Sequence, residues 1–348
     1  MKVTVLILNW NGKDVLPACL ASLDRCDPAP DELIVVDNGS TDGSADWLRQ
    51  DARPGVRKIF LDDNLGYAAG NNVGMREATG EVIALLNNDT QVAPNWIGSA
   101  LDALTDPSVG MVSCQTVRLQ DPATLDKAGH LMFPDGMNRG RGTGQPTSAF
   151  NQPGESLWPD GSGAFYRKAM LDRIGLLDED FYLYGEDAEL GMRARWAGYG
   201  CTYAPQSEVM HHHSAGLGKF APQKIYYIER NRLWLMLKTF PLSLILLSPV
   251  TTGWRYFMNG VSLLTGKGSA AGAGKAVSPL AIIGAIAKAW LHGLLGAPKM
   301  LRKRGSYPKE ISGSAMRARC RRSASSRRRA RCPGRRAVAH VPRCDRMP

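Results

Sequence analysis

Two short acidic segments contain the residue types that chemistry on a charged substrate requires. The first, Leu-Leu-Asn-Asn-Asp-Thr at 85–90, ends an apolar run with a carboxylate where the chain must turn. The second, Tyr-Gly-Glu-Asp-Ala-Glu-Leu at 184–190, places adjacent carboxylates after an aromatic stretch. One carboxylate can help to hold a divalent cation and another can accept a proton. The pair predicts metal-dependent chemistry on a charged substrate.

Alternating strands and helices must position these segments. Four short, largely apolar runs are predicted to be strands, at 3–8, 32–37, 56–61 and 81–86. Helical spacing follows the first two runs, at 15–23 and 45–50. This alternation predicts an α/β fold with a mostly parallel sheet and helices on both faces. Ligands collect at the carboxyl ends of such strands, where polar residues fall here: Asn9, Asp37, Asn64 and Asp89.

The charge of the chain is unevenly distributed. With 348 residues and 44% hydrophobic content, the chain is long enough to bury a large core. Residues 301–348 contain 16 Lys or Arg and two acids, and this surplus of 14 exceeds the formal net charge of +11. Residues 1–300 therefore carry about −3, so the basicity belongs to the tail and specific nucleic-acid binding by the body is not expected.

Cysteine usage and the N-terminus predict a cytoplasmic protein. The seven cysteines include no Cys-x-x-Cys pair and no zinc-like spacing, which favours free thiols in a reducing compartment. The chain begins with Met-Lys and enters a strand-like run that is too short for a signal peptide's apolar region.

A dinucleotide-binding fold is disfavoured at the first turn. That fold requires Gly-x-Gly-x-x-Gly directly after the first strand. The turn here is Asn9-Trp10-Asn11-Gly12, with one glycine and a bulky indole. A sugar-phosphate nucleotidyltransferase would likewise need a glycine- and arginine-rich loop at this place, and none is present.

Six segments in this order resemble the family 2 glycosyltransferases, the inverting enzymes of GT-A fold, and especially their bacterial rhamnosyltransferase-like branch. The matching segments are 3–12, 35–44, 64–74, 85–90, 184–190 and 226–232. The resemblance covers about residues 1–240. It implies transfer of a sugar, first of all rhamnose, from a dTDP- or UDP-sugar to a hydroxyl of a lipid-linked or cell-surface glycan. A membrane- or RNA-binding protein that acts through its basic tail is the non-enzymatic alternative.

The resemblance assigns the nucleotide sugar to the strand ends. Asp37 would accept a hydrogen bond from the base, although such an Asp can equally cap a turn or a helix. Trp10 would lie beside the base or be a core aromatic. The 64–74 segment is predicted to be a glycine-rich loop that packs around the nucleotide or caps a helix. The complete predicted set is Asn9, Trp10, Asn11, Asp37, Asn64, Gly66, Asn72, Asn88 and Arg230.

The metal and the base are assigned by the same resemblance. Asn87-Asn88-Asp89 occupies the place of the family's Asp-x-Asp motif, so Asp89 supplies its remaining carboxylate to Mg²⁺ or Mn²⁺. His211 is the expected second ligand, with His213 as the alternative on the same face of a strand. Asp187 is the expected general base, with Glu186 beside it as the alternative. These acids can also stabilise a helix N-terminus, and Arg230 can form a structural ion pair or meet phosphate.

The chain divides into three predicted regions. Residues 1–240 form the catalytic domain. Residues 241–304 are apolar but interrupted by Pro249, Arg255 and Lys288, which favours helices lying on the cytoplasmic face of the inner membrane over a membrane span. A helical subdomain packed on the catalytic domain is the alternative. Residues 305–348 are basic and predicted to be disordered, either as a functional tail or as the product of a misread gene end.

Overall fold

The computed structural model describes residues 1–212, 221–266 and 277–320. The strands of these ranges are β1 Val3–Asn9, β2 Glu32–Asn38, β3 Val56–Leu61, β4 Val82–Asn87, β5 Thr90–Val92, β6 Val109–Arg118, β7 Asp121–Lys127, β8 His130–Met132, β9 Asn138–Gly140, β10 Gly154–Glu155, β11 Gly163–Arg167 and β12 Gly200–His211. The α-helices are α1 Leu16–Leu23, α2 Ser44–Gln50, α3 Gly66–Glu77, α4 Trp96–Asp102, α5 Lys168–Ile174, α6 Glu186–Trp196, α7 Pro222–Thr239, α8 Leu242–Thr265, α9 Pro279–Leu295 and α10 Ala297–Lys303.

One central sheet organises the molecule, in the order β10-β12-β6-β11-β4-β1-β2-β3, with β5 and β7 paired to β12 and β6. The block β4-β1-β2-β3 is parallel, as predicted, and the four predicted strands begin within one residue of the observed ones. β11 lies antiparallel between β4 and β6. Parallel register places Asn9 opposite Asp37 and Leu8 opposite Asn87, so the polar strand ends meet at one edge.

Each strand contributes to the cores on both faces of the sheet, because successive side chains point to opposite sides. In β1, Leu6 packs into one cluster with Trp158 and Phe181, whereas Val5 and Ile7 pack into the other. Helix α6 is buried along most of its length against the first of these clusters. The acidic segment at its start is therefore fixed to the body of the domain.

The predicted loop at 64–74 is mostly helix α3. The helix begins at Gly66, which has φ +83°, and a Cβ there would meet the ring of Tyr182 at 2.4 Å. Glycine is required at this position for both reasons. Glycines and asparagines have low helix propensity, and tertiary packing overrides that preference here because Gly70 and Gly74 lie against Leu8 and Leu6 of β1.

The C-terminal helices pack on the catalytic domain through α7. Trp234 Nε1 donates to the carbonyl of Gly293 in α9 at 3.1 Å. In α8, Arg255 and Tyr256 both bind the buried Glu229 of α7. Among the described residues, no single helix has the length and apolar composition to cross a membrane; α9 and α10 together pass that test by length and composition alone, with a bend of 52° between them.

The prediction of disorder from residue 305 onward is wrong for residues 305–320. Tyr307, Met316 and Cys320 are buried, and the Tyr307 hydroxyl donates to the carbonyl of Lys238 at 2.7 Å. The backbone N–H of Glu310 donates to the carbonyl of Trp196 at the end of α6. These apolar residues supply enough burial to order the segment despite its basic composition. The rest of the predicted tail, 321–348, lies outside the described residues.

Candidate active site

The ends of β1, β2 and β4 form a buried polar network. Asn9 Nδ2 donates to Asp37 Oδ2 at 2.8 Å and to Ser44 Oγ at 3.0 Å. Asn88 Nδ2 donates to Asn9 Oδ1 at 2.9 Å. The second Asp37 oxygen accepts from the backbone N–H of Ser40, as in a turn. The structure thus brings Asn9, Asp37 and Asn88 together at the ends of the strands. All three side chains are buried, and Asp37 is only 1% exposed.

Trp10 and Asn11 lie at the rim of the same edge. Trp10 is 43% exposed, which excludes the core-aromatic alternative and leaves its indole open to a ligand. Asn11 has φ +50°, and its Oδ1 accepts from the backbone N–H of Thr41 at 2.8 Å. Asn64 Oδ1 accepts from Asn38 Nδ2 and from the N–H of Gly66, so it caps the start of α3 close to this rim.

Asn72 binds the segment 177–179 and not the polar strand ends, where its predicted nucleotide contact would place it. Its Nδ2 donates to the carbonyl of Leu177 and to Glu179, and its Oδ1 accepts from the N–H of Leu177. The side chain is 2% exposed and fully occupied by these bonds. Asn72 therefore joins α3 to the segment before α6, because a buried amide must satisfy its hydrogen bonds locally.

The guanidinium of Arg230 binds backbone carbonyls in the described structure, in place of the structural ion pair that the sequence suggested. Its guanidinium donates to the carbonyls of Asp180 and Phe181, and to the neighbouring Asn231. Asn231 Nδ2 in turn donates to the carbonyls of Phe181, Leu183 and Tyr184. In the described structure Arg230 thus holds the segment that leads into Glu186 and Asp187.

The metal candidates lie together at the end of β4 and the end of β12. His211 Nε2 is 3.2 Å from Asp89 Oδ1, and His211 Nδ1 is 3.7 Å from Asp126 Oδ2. Although burial opposes it, hydrogen bonding to Asp126 and Asp89 raises the pKa of His211 to about 9. The alternative ligand His213 lies outside the described residues.

This donor set fits a divalent cation. A carboxylate oxygen and an imidazole nitrogen, both mostly buried and within 3.2 Å of each other, suit Mg²⁺ or Mn²⁺ that completes its shell with phosphate and water. Because the pKa of His211 is raised, the imidazole must lose its proton when the cation binds. Asp126 stands behind His211 in the position of a residue that orients a ligand. The missing first acid of the motif, Asn87, uses its backbone carbonyl to accept from Thr90 Oγ1.

The base candidates begin helix α6. Gly185 precedes them at φ +89°, and Asp187 Oδ1 accepts from the N–H of Ala188 at 2.7 Å. Burial raises the pKa of Glu186 to about 8, and its Oε2 has no hydrogen-bond partner among the described residues. Burial also raises the pKa of Asp187, while the nearby His130 opposes that shift. Burial thus favours the protonated form of Glu186, whereas the nearby His130 favours the ionised form of Asp187, which makes Asp187 the better candidate for the base.

A chain of ionisable side chains connects the two acidic segments. The chain starts at Asp187, the candidate base. His130 Nε2 is 3.7 Å from Asp187 Oδ2 and 3.0 Å from Asp160 Oδ2. Lys127 Nζ is 2.7 Å from the same Asp160 oxygen and 3.8 Å from Asp126 Oδ2, which continues to His211 and Asp89. Although burial opposes it, Lys127 and His130 hold the pKa of Asp160 well below its usual range.

His130, Asp160 and Asp187 have ligand atoms within 4.8 Å of one another and could also hold a metal ion. The Lys127 ammonium beside Asp160 already supplies a positive charge there. A divalent cation at this cluster would face that ammonium at close range, whereas at Asp89 the imidazole of His211 can lose its proton as the cation binds. Asp89 and His211 are therefore the better site.

Sequence reasoning missed Asp126, Lys127 and His130 and gave Asp160 no firm role. Asp126 and His130 are buried. They lie in the segment 126–130, which follows the apolar Leu125 and in which three of the five residues are ionisable. This concentration of ionisable residues in a short segment was the sequence signal that could have identified them as site residues. Asp160 follows Trp158, whose ring stacks on His130 with centroids 5.7 Å apart.

Comparisons with known proteins identify the family. The family model described as Glycosyl transferase family 2 matches residues 4–175. The N-acetylglucosaminyl-diphospho-decaprenol L-rhamnosyltransferase of Mycobacterium tuberculosis is 31% identical over 238 residues, which cover 61% of this chain and 77% of the relative. The validoxylamine A glucosyltransferase of Streptomyces hygroscopicus subsp. limoneus is 26% identical over 239 residues, 59% of this chain and 50% of the relative.

Solved structures share the fold. GalNAc-T7 with UDP, GalNAc and Mn²⁺ superposes with a TM-score of 0.56 at 14% identity, covering 68% of this chain and about half (48%) of the GalNAc-T7 chain. S. aureus TarS 1–349 with UDP gives 0.51 at 16% identity, covering 91% of this chain and 92% of TarS. The GT-A-like fold is confirmed, and the chain belongs to glycosyltransferase family 2, as a rhamnosyltransferase-like glycosyltransferase that uses a nucleotide sugar.

Proposed function

We propose that this glycosyltransferase moves a sugar, with rhamnose as the first candidate, from a dTDP- or UDP-sugar to a hydroxyl of a lipid-linked glycan, with inversion at the anomeric carbon. One observation supports the proposal most: Asp89 and Asp187 stand at opposite ends of one chain of ion pairs. A leaving diphosphate and an attacking hydroxyl need two such separate groups.

On the acceptor side, Asp187 would take the proton of the attacking hydroxyl. The acceptor oxygen forms its bond to the anomeric carbon as the bond from that carbon to the diphosphate oxygen breaks, and the electron pair leaves with the diphosphate. Asp187 Oδ1 is fixed by the N–H of Ala188, and His130 faces Oδ2. The carboxylate is therefore held in one orientation before substrate arrives.

On the donor side, the buried edge would hold the nucleotide. Asp37 and Asn9 form its wall, and the exposed indole of Trp10 can stack on a base. Asp89 and His211 would hold a divalent cation, which when bound neutralises charge on the diphosphate.

The acceptor is proposed from the relative in M. tuberculosis, whose name specifies an N-acetylglucosaminyl-diphospho-decaprenol acceptor. An exposed apolar surface on α8 and α9 is consistent with such an acceptor and with contact to the cytoplasmic face of the inner membrane. Its members, all at least 58% exposed, include Leu246, Val250, Trp254, Phe257, Leu264, Leu280 and Leu295.

A panel of dTDP-, UDP- and GDP-sugars, incubated with a synthetic lipid-diphosphate glycan and with Mg²⁺, Mn²⁺ or a chelator, tests the function. We expect one donor to be consumed in a metal-dependent manner, and NMR of the product to show the inverted anomer. A retained anomeric configuration, or transfer unaffected by the chelator, would contradict the mechanism. Co-sedimentation with anionic vesicles tests the membrane contact separately.

A further inference from the structure

A mostly apolar groove lies between the β8–β9 turn and helix α8. Its volume is about 680 Å³, and its apolar lining consists chiefly of Phe133, Pro134, Met137, Val250, Trp254 and Met258. Val250, Trp254 and Met258 follow one another at intervals of four, so they share one face of α8. They are 70%, 64% and 45% exposed. Exposed apolar residues that line a concave surface indicate a binding site rather than unfilled core.

An ion pair and a hydrogen bond fix the two sides of the groove. Arg255 of α8 lies 2.8 Å from Asp135 in the β8–β9 turn, and Arg232 of α7 donates to the Asp135 carbonyl at 2.6 Å. Gly136, at φ +80°, lets this turn approach Arg232 and Met236 of α7. The two walls are therefore fixed relative to each other, and the groove exists before any ligand binds.

The β8–β9 hairpin connects the groove to the base. His130, which faces Asp187, begins β8, and Phe133 of the groove follows three residues later, a span of about 10 Å along a strand. Arg139 of β9 pairs with Leu131 and places its guanidinium 5.6 Å from the Phe133 ring centroid. Arg139 forms no ion pair with any other described residue. A positive charge thus stands at the groove, on the hairpin that leads from the base.

We propose that this groove binds the isoprenoid chain of the acceptor lipid, with Arg139 facing the acceptor's diphosphate. The hairpin places a cation and an apolar groove within a few residues of His130, and a lipid-linked acceptor likewise carries a diphosphate and a hydrocarbon chain next to its reacting sugar. The inference rests on the proposed transfer to a lipid-linked glycan and specifies where that acceptor's lipid lies.

Two acceptors that differ only in the lipid test the groove: a glycosyl diphosphate carrying a long isoprenoid chain and one carrying a short, water-soluble chain. KM for each is measured in detergent for the unaltered chain, Trp254→Gln and Met258→Gln. Both residues are largely exposed, so the variants should fold, which a thermal melt verifies. Leu301→Gln is the matched control, because Leu301 is 50% exposed on α10 and lies outside both the groove and the apolar surface of α8 and α9.

The groove variants should raise KM for the long-chain acceptor roughly tenfold and leave KM for the short-chain acceptor unchanged, as expected when about two buried methylene groups lose contact. Arg139→Gln should raise KM for both acceptors and leave KM for the donor unchanged. Equal effects on both acceptors, or an equal loss in Leu301→Gln, would overturn the groove assignment. Absence of transfer by the unaltered chain with every donor would instead refute the proposed function.

Discussion

The two acidic segments of this enzyme differ in how their charge is compensated. At the metal end, Asp89 already faces an imidazole whose pKa is raised to about 9, so the carboxylate is paired with positive charge. At the other end, Glu186 and Asp187 are adjacent and buried, and burial raises the pKa of both. At the proposed metal end a divalent cation must therefore displace the proton of His211, so metal binding there should release a proton. The end with Glu186 and Asp187 favours a site that takes and releases a proton.

Replacing the base should have the largest effect. Asp187→Asn keeps the size of the side chain but cannot accept the acceptor's proton, so transfer should fall roughly 10²- to 10⁴-fold. Donor binding, followed by calorimetry, should be unchanged. Loss of donor binding in this variant would show that the two ends do not have separate tasks.

Replacing Asp89, the carboxylate proposed to bind the metal, should have the next largest effect. This effect should fall on binding of the donor. Asp89→Ala should weaken Mn²⁺-dependent donor binding by at least about 10- to 100-fold, the range reported for residues that merely orient a ligand. The measurement is a donor titration at saturating Mn²⁺. Asp121→Ala is the control, since this exposed acid of β7 lies outside the chain of ion pairs. An unchanged donor affinity in Asp89→Ala would contradict its metal role.

His130 should influence the pKa of Asp187 and should not itself take the acceptor's proton. Its neighbours around Asp187 are Glu186, Asp160, Lys127, Tyr67 and Tyr166. Because His130 opposes the upward shift in the pKa of Asp187, His130→Ala should move the acidic limb of the kcat/KM profile to higher pH. A rate that falls equally at every pH would indicate a structural role only.

Replacing Glu186 should have the smallest effect on the transfer rate and a measurable effect on thermal stability. Glu186→Gln mimics the protonated side chain, so activity at pH 7 should change little. The folded-state pKa of about 8 exceeds the ordinary 4.5, so the favourable contribution of Glu186 to the free energy of unfolding is complete below pH 4.5 and is lost as the pH rises toward 8. The melting temperature of the unaltered chain should therefore fall relative to the variant over that interval.

The sequence was sufficient for the elements whose signal is local. Apolar runs ended by polar turns located β1 to β4 to within a residue, and the helical spacing after Asp187 located α6. It failed where tertiary contacts override local preference. Gly66 to Gly74 has the composition of a loop, yet contacts with β1 make it helical. Basic residues after 305 suggested disorder, yet Tyr307 and Met316 find apolar partners.

The candidate site was predictable only in part, for a related reason. Asp89, His211 and Asp187 stand in recognisable motifs, but their partners Asp126, Lys127 and His130 come from β7 and β8, whose chain positions are distant from all three. Ion pairs between distant segments leave no periodic pattern in the sequence. Asn72 was assigned to the nucleotide for the same reason, because its partners Leu177 and Glu179 lie more than a hundred residues away.

The most direct test of separate tasks is Mn²⁺ binding in the presence of the nucleoside diphosphate, measured by electron paramagnetic resonance for the unaltered chain, Asp89→Ala and Asp187→Asn. We expect Asp89→Ala to lose the bound-Mn²⁺ signal and Asp187→Asn to keep it. Loss of the signal in Asp187→Asn with retention in Asp89→Ala would contradict the account, because it would move the metal to the cluster of His130, Asp160 and Asp187.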